Sequence, residues 1–162
     1  MLLAIISDTH MPRGGRRLPA ACVERLRSAD LILHAGDVMT LPVLREIEAI
    51  GPPVAAVRGN VDDAEVWAAL PEERVVEAAG ARIAMTHDAG PAKGRLPRMR
   101  RRFPDADALV FGHSHIPLHE EHDGFQIFNP GSPTERRRSA EHTMGIAHVE
   151  RGRVTFELVA LR

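Results

Sequence analysis

Residues 2–6 form a short run in which apolar side chains follow one another without alternation. That is the pattern of a strand covered on both faces. After a loop rich in Gly and Arg, Pro19 suits the first turn of a helix. Val23 and Leu26 would lie on one side of it and Glu24, Arg25 and Arg27 on the other. Residues 31–33 read as a second apolar strand. Thr40 is placed as an N-cap before an amphipathic helix carrying Leu41, Val43, Leu44, Ile47 and Ile50, which Gly51 and Pro52 end. Residues 54–57 read as a third strand. Strand and helix thus alternate, which predicts parallel pairing through right-handed crossovers.

The pattern then changes. Residues 74–79 and 82–86 flank Gly80 as a hairpin, 94–103 form a basic helix, and 109–111 make another buried strand. From Pro117 onward the chain reads as strand: 118–122, 125–128, 144–150 and 153–159, separated by Asp123-Gly124, Pro130-Gly131 and Gly152. The predicted fold class is α/β: two packed mixed β-sheets flanked by helices. The length of 162 residues suits one domain over residues 1–162. There is no internal repeat, low-complexity tract or linker.

Composition narrows the function classes. A net charge of -1 provides no bulk attraction to nucleic acid or an acidic membrane. Positive charge is nonetheless clustered at Arg13, Arg16 and Arg17, in residues 98–102, and at Arg136, Arg137 and Arg138. The last two clusters are either solvated faces or a lip that attracts polyanions. With no tyrosine and no aromatic stacking platform, binding to single-stranded nucleic acid is not supported. The single cysteine, Cys22, has no internal disulfide partner, which favours a reducing compartment. The first apolar run ends at Asp8, too early for a signal or membrane-spanning segment. The expected location is the cytoplasm, without membrane association.

Five short motifs carry the chemistry, and each follows a predicted strand: Asp8-Thr9-His10, Gly36-Asp37, Gly59-Asn60, Thr86-His87 and Gly112-His113-Ser114-His115. In open α/β sheets, loops at the carboxyl ends of strands converge on the ligand site. Asp-x-His and His-x-His each let two side chains face one ion while the middle residue points away. A glycine beside Asp37, Asn60 and His113 allows close approach of backbone. Two carboxylates, one amide and four imidazoles suit Mn, Fe, Zn, Co or Ni better than Ca or Mg. Without thiolates, a structural zinc-finger site is excluded. Two divalent ions about 3.5–4 Å apart can acidify a shared water and clamp the phosphoryl oxygens of an in-line displacement.

In order and spacing, these motifs resemble the calcineurin-like metallophosphoesterase superfamily. Asn129-Pro130-Gly131-Ser132 adds a likeness to its small YfcE-like phosphodiesterase group. The resemblance spans essentially the whole chain. It implies that Asp8, His10 and His115 hold one metal ion, that Asn60, His87 and His113 hold the other, and that Asp37 bridges them. It also implies hydrolysis of small phosphate esters, diesters foremost, by a hydroxide bridging the two ions. Manganese is the expected ion, with Ni, Co, Fe or Zn as alternatives. Asn60 would also offer its NH₂ to the substrate, so Asn60 and Asp37 are the catalytic candidates. The other readings are a phosphomonoesterase or pyrophosphatase on the same site, and a non-catalytic scaffold like the retromer subunit of this fold. Relatives of this kind form homo-oligomers, which nothing in the sequence specifies.

Two positions depart from the superfamily. Val61 stands where many members carry a histidine able to protonate the leaving group, a step worth about 10²–10⁴-fold in rate. The phosphodiesterase group also lacks that histidine. Asp88 follows His87 where small relatives have glycine, placing an extra carboxylate beside the ions. Other residues have two readings. Asp8 and Asp37 could be helix-capping carboxylates, and His113 and His115 could be packed or surface imidazoles. Arg58 is either a substrate-phosphate contact or a partner for Asp62 or Asp63. His34 reads as a packed residue behind the site, and His119, His122, His142 and His148 as surface or interface residues. Trp67 and Leu70 read as core or as a contact between subunits.

Overall fold

The unalternating N-terminal run is indeed buried on both sides. Strand β1 (Leu2–Ile6) sends Leu3 and Ile5 into one apolar cluster, while Ala4 and Ile6 enter another. In the computed structural model, which describes residues 1–162, β1 lies between β2 (Leu31–His34) and β9 (His142–Glu150). The first sheet runs β10-β9-β1-β2-β3, with β3 at Val54–Ala56 and β10 at Arg153–Leu161. Its β1, β2 and β3 are parallel, whereas β9 and β10 return antiparallel.

The second sheet runs β4-β5-β6-β8-β7. Strands β4 (Glu73–Ala78) and β5 (Ala81–Thr86) form the expected hairpin. Strands β5, β6 (Ala108–Val110) and β8 (Phe125–Asn129) are parallel, and β7 (Leu118–His122) pairs antiparallel with β8. Leu3, Ile5 and Leu33 from the first sheet meet Ile83, Met85, Val110 and Phe128 from the second in the central layer.

Helices cover both outer faces. On the first sheet, α1 (Ala20–Arg27) contributes Cys22 and Leu26, α2 (Leu41–Glu48) contributes Val43, Leu44 and Ile47, and α3 (Ala64–Ala69) contributes Val66. On the second, α4 (Arg95–Arg102) and the turn after it set Met99 and Phe103 against Leu109, Phe125 and Ile127. No helix is long and apolar enough to cross a membrane. Burial pushes the Cys22 thiol up to about 12, so this cysteine acts as a small apolar side chain.

Two expectations need correction, the side-chain cap at Thr40 and the core reading of Trp67. Thr40 occupies the N-cap position of α2, yet its side chain makes no capping bond; Pro42 in the first turn already lacks one N–H that would need an acceptor. The expected terminal strands form and divide between the two layers: β7 and β8 join the second sheet, and β9 and β10 join the first. Trp67 is not core. It stays 46% exposed and is tethered by its indole N–H, which donates to the Gly59 carbonyl at 3.1 Å. Arg100, Arg101 and Arg102 of α4 are exposed, in keeping with a solvated face, and the arginines of this helix also brace the structure. Arg95, Arg98 and Arg100 donate to carbonyls of Gly90, Ala89, Pro91, Lys93 and Ala106, and Arg102 pairs with Glu73.

Phe128, 1% exposed, stacks on Phe156 with ring centroids 4.5 Å apart, and so locks the central layer. Phe128→Ala is expected to lower unfolding stability by about 3–5 kcal/mol in urea titrations. A loss under about 1 kcal/mol would place the main core elsewhere.

Candidate metal centre

All five motifs emerge from the carboxyl ends of parallel strands. Asp8 and His10 follow β1, Asp37 follows β2, Asn60 follows β3, His87 follows β5, and His113 and His115 follow β6. Both sheets therefore aim strand ends at one place, and the motifs meet across the seam between them. Asp8, His10, Asp37, His87 and His115 are buried there, while Asn60 and His113 sit at the mouth.

Each buried carboxylate is held by one oxygen and presents the other. Asp8 Oδ2 accepts the Ser7 hydroxyl at 2.7 Å and the His113 N–H at 3.0 Å. Asp8 Oδ1 turns toward His115 Nε2 (3.3 Å), His10 Nε2 (3.8 Å) and His87 Nε2 (3.9 Å). Asp37 Oδ1 accepts the Val61 N–H at 3.0 Å, and Asp37 Oδ2 faces His87 Nε2 at 3.1 Å and His10 Nε2 at 3.2 Å. Burial by itself would raise both carboxyl pKa values. The neighbouring His10 imidazole opposes this at both, joined by the His115 ring at Asp8 and by the His87 ring at Asp37, and both acids stay ionised well below the usual range.

The imidazoles are oriented from behind. His87 Nδ1 donates to the Ala35 carbonyl at 2.7 Å and His115 Nδ1 to the Glu135 carbonyl at 2.6 Å. A carbonyl only accepts, so the proton sits on Nδ1 and Nε2 faces inward, as a metal ligand requires. His10 Nδ1 faces Glu135 Oε2 at 3.1 Å. Asn60 Oδ1 lies 3.1 Å from His87 Nε2 and 3.0 Å from His113 Nδ1.

Two groups have donor atoms close enough to share an ion: Asp8, His10 and His115, and Asp8, Asp37 and His87, with atoms within 4.8 Å of one another in each group. Asp8 Oδ1, His10 Nε2 and His115 Nε2 are buried with no hydrogen-bond partner. Buried polar atoms are ordinarily paired, so this cluster fits a cation that unites them.

The backbone is bent to deliver these side chains. Asp8, His10, Asp37, His113 and His115 all have positive φ, from 46° to 71°, a region that non-glycine residues rarely occupy. Gly59 is required by proximity: a Cβ there would overlap the Asp37 carboxylate. At Gly112 a Cβ would strike the Ser7 hydroxyl and the Asp8 carboxylate.

His34 is packed behind the site, as expected. The Gly36 N–H donates to its Nδ1 at 3.2 Å, so Nε2–H donates to Thr9 Oγ1 at 3.1 Å. Arg58 does not pair with Asp62 or Asp63. Its guanidinium lies 4.3 Å from the Trp67 ring centroid and contacts the carbonyls of Trp67 and Leu70 and the Glu72 carboxylate. Asp62 instead accepts the N–H groups of Met39 and Gly59 at 2.6 and 2.7 Å, bracing two of the loops, while Asp63 caps α3 by accepting the Val66 N–H. Asp88 Oδ2 stands 3.9 Å from His113 Nε2 at the mouth.

One participant has no counterpart among the expected residues. Glu135 touches His10 with its carboxylate and His115 with its carbonyl. It lies in a loop, far from any strand-end motif. The only clue is the spacing Ser132-x-x-Glu135, that of a side-chain-braced turn; here the Glu135 N–H donates to Ser132 Oγ at 2.9 Å.

Comparison with known proteins agrees with this architecture. Residues 1–152 match the calcineurin-like phosphoesterase superfamily domain. A probable metallophosphoesterase of Methanothermobacter thermautotrophicus is 35% identical over 139 residues, covering 85% of this chain and 80% of that protein. A phosphodiesterase of Methanocaldococcus jannaschii is 28% identical over 142 residues, covering 81% of this chain and 83% of its own. Vacuolar protein sorting 29 of Cryptosporidium parvum superposes with a TM-score of 0.86 at 26% identity, covering 99% of this chain and 91% of its own. The two-sheet fold with its buried cluster of carboxylates and imidazoles is that of a metallophosphoesterase. The chain belongs to the calcineurin-like phosphoesterase superfamily.

Without metal, the cluster makes stability depend on pH in two directions. Burial opposes protonation of His10, but Asp37 and Asp8 prevail and raise its pKa from 6.5 to about 9. Its contribution is therefore full below pH 6.5 and is lost as pH rises through 9. Burial lowers the His34 pKa to about 4, so its contribution is full above 6.5 and is lost as pH falls through 4. EDTA-treated protein is expected to melt highest near pH 6.5, with about 3 °C lost per kcal/mol on either side. A melting midpoint that climbs steadily to pH 9 contradicts this assignment.

Proposed function

We propose that the chain hydrolyses phosphodiesters at a dinuclear site, with manganese as the working ion. The observation that carries this is the convergence of unpartnered, buried Asp8 Oδ1, His10 Nε2 and His115 Nε2 beside Asp37 Oδ2 and His87. Asp8, His10 and His115 would hold one ion, and Asn60, His87 and His113 the other, with Asp37 between them. When bound, such a pair supplies Lewis acidity, polarising the phosphoryl group and acidifying a water for attack.

The remaining steps fall to the chain's own groups. Asn60 turns its oxygen inward, which leaves its NH₂ to donate to a phosphoryl oxygen. Next to Asn60 and His87 a recess of about 150 Å³ is lined by Arg58, Trp67, Glu72, Thr86 and Asp88. We assign it to one organic arm of the diester, with the exposed Trp67 indole as its wall. Glu72 and Asp88 repel the second negative charge of a monoester dianion, while the Arg58 guanidinium is already engaged by carbonyls and Glu72. A diester, carrying one negative charge, meets less repulsion. Val61 offers no proton to the leaving oxygen, so the leaving group must depart largely on its own acidity.

The test is hydrolysis of bis-p-nitrophenyl phosphate by EDTA-stripped protein, before and after addition of Mn²⁺, with p-nitrophenyl phosphate alongside. Metal-restored activity favouring the diester is expected, and monoester preference would make the chain a phosphatase. A folded, reloaded protein inert to both across Mn²⁺, Ni²⁺ and Co²⁺ would favour the protein-binding reading, which the likeness to vacuolar protein sorting 29 supports. Nitrophenyl diesters should also turn over at least about 10²-fold faster than simple alkyl diesters. Comparable rates would show that some group does protonate the leaving oxygen.

A further inference from the structure

We infer that Glu135 is the positioning residue for the Asp8–His10–His115 half of the site and makes that half the tighter of the two. This rests on the dinuclear reading above.

Two atoms of Glu135 reach two imidazoles of one half-site: Oε2 lies 3.1 Å from His10 Nδ1, and its carbonyl accepts from His115 Nδ1 at 2.6 Å. His10 Nδ1 and Glu135 Oε2 are both buried without a hydrogen bond to any other group, and Oε2 also stands 3.9 Å from His115 Nδ1. Once His10 Nε2 is committed to an ion, Nδ1 must carry the proton, and Glu135 Oε2 is the acceptor beside it.

The carboxylate is itself anchored. Its other oxygen, Oε1, accepts from Arg16 Nη2 at 3.0 Å, so the guanidinium holds it from the far side. The loop carrying it is pinned to the same strand end that presents Asp8 and His10. Ser132 Oγ donates to the Asp8 carbonyl at 2.8 Å, and Thr134 Oγ1 donates to the Thr9 carbonyl at 2.6 Å. Glu135 can therefore move only if the Asp8–His10 loop moves with it.

The other half lacks such a device. His87 Nδ1 rests on a neutral carbonyl, and the carboxylate nearest to His113, Asp88 Oδ2, is 3.9 Å away on an exposed side chain. A carboxylate behind an imidazole raises its basicity as a ligand more than a neutral acceptor does. The two halves are therefore expected to differ in affinity, with the Glu135 half the stronger.

The experiment is a Mn²⁺ titration of the EDTA-stripped full chain, followed by calorimetry and by electron paramagnetic resonance. It compares wild type with Glu135→Gln, which keeps shape and removes charge, and with Glu135→Ala. Wild type is expected to bind two equivalents in a tight and a weak class, with a spin-coupled pair signal appearing at the second. Both variants, folded by circular dichroism, should lose about 10–100-fold in the tight class alone, Ala more than Gln. They should also show isolated Mn²⁺ where wild type shows the coupled pair. A tight class unchanged in folded Glu135→Gln and Glu135→Ala overturns the assignment. A uniform loss in both classes also overturns it, because it points to general damage. Wild type that binds one equivalent only, weakened by the variants, upholds Glu135 and removes the dinuclear reading. Wild type that binds none overturns both.

Discussion

Two carboxylates, Asp8 and Asp37, are buried within reach of the same imidazoles, and the architecture around them is organised to make that tolerable. Ionised groups removed from water are costly unless paired and hydrogen-bonded. Here each carboxylate spends one oxygen on fixed donors, Ser7 and His113 N–H for Asp8 and Val61 N–H for Asp37. The other oxygen faces positive or polarisable nitrogen. In the absence of an ion, His10 and His87 serve as counter-charges; burial lowers both pKa values, but Asp37 and Asp8 together prevail and raise them. A cation and a proton thus compete for the same cluster, although protons alone leave Asp8 Oδ1, His10 Nε2 and His115 Nε2 without hydrogen bonds.

That constraint explains why two sheets are needed. One parallel sheet brings strand ends into a row, whereas two facing sheets bring them to a point. Asp8, His10, Asp37 and Asn60 come from the first sheet, and His87, His113 and His115 from the second. Each proposed ion would draw ligands from both, so metal and central apolar layer pull the sheets together at different heights. The left-handed backbone at five of these residues is the local cost of the convergence, tolerated because rigid strands end immediately before them.

Much of this was legible from the amino acids alone, for identifiable reasons. Unalternating apolar runs at 2–6 and 31–33 specify strands covered on both faces, and a ligand motif directly after a strand needs no tertiary knowledge to be placed. Gly59 and Gly112 beside ligands likewise announce close approach. What stayed hidden depends on contacts across long sequence distances. Glu135 meets His10 only because its loop crosses from β8 to β9 over the strand ends, and nothing local in the sequence encodes that crossing. Strands β7 to β10 look alike locally, so their division between two sheets is set by pairing. Of the two readings open for Trp67, core and a contact between subunits, its N–H tether to Gly59 and its surface position remove the first.

The pairing of β1 with β9 joins Leu2 to His148. The strand that presents Asp8 and His10 therefore keeps an open edge until β9 has been synthesised. A nascent chain stopped before the Ser132–Glu135 turn would carry all seven proposed ligands but neither the brace on the Asp8 carbonyl nor the partner of His10 Nδ1. Maturation of this centre is thus coupled to synthesis of the 132–150 segment: a shorter nascent chain holds the Asp8 and Asp37 carboxylates but lacks the brace that Ser132 and Glu135 place behind Asp8 and His10.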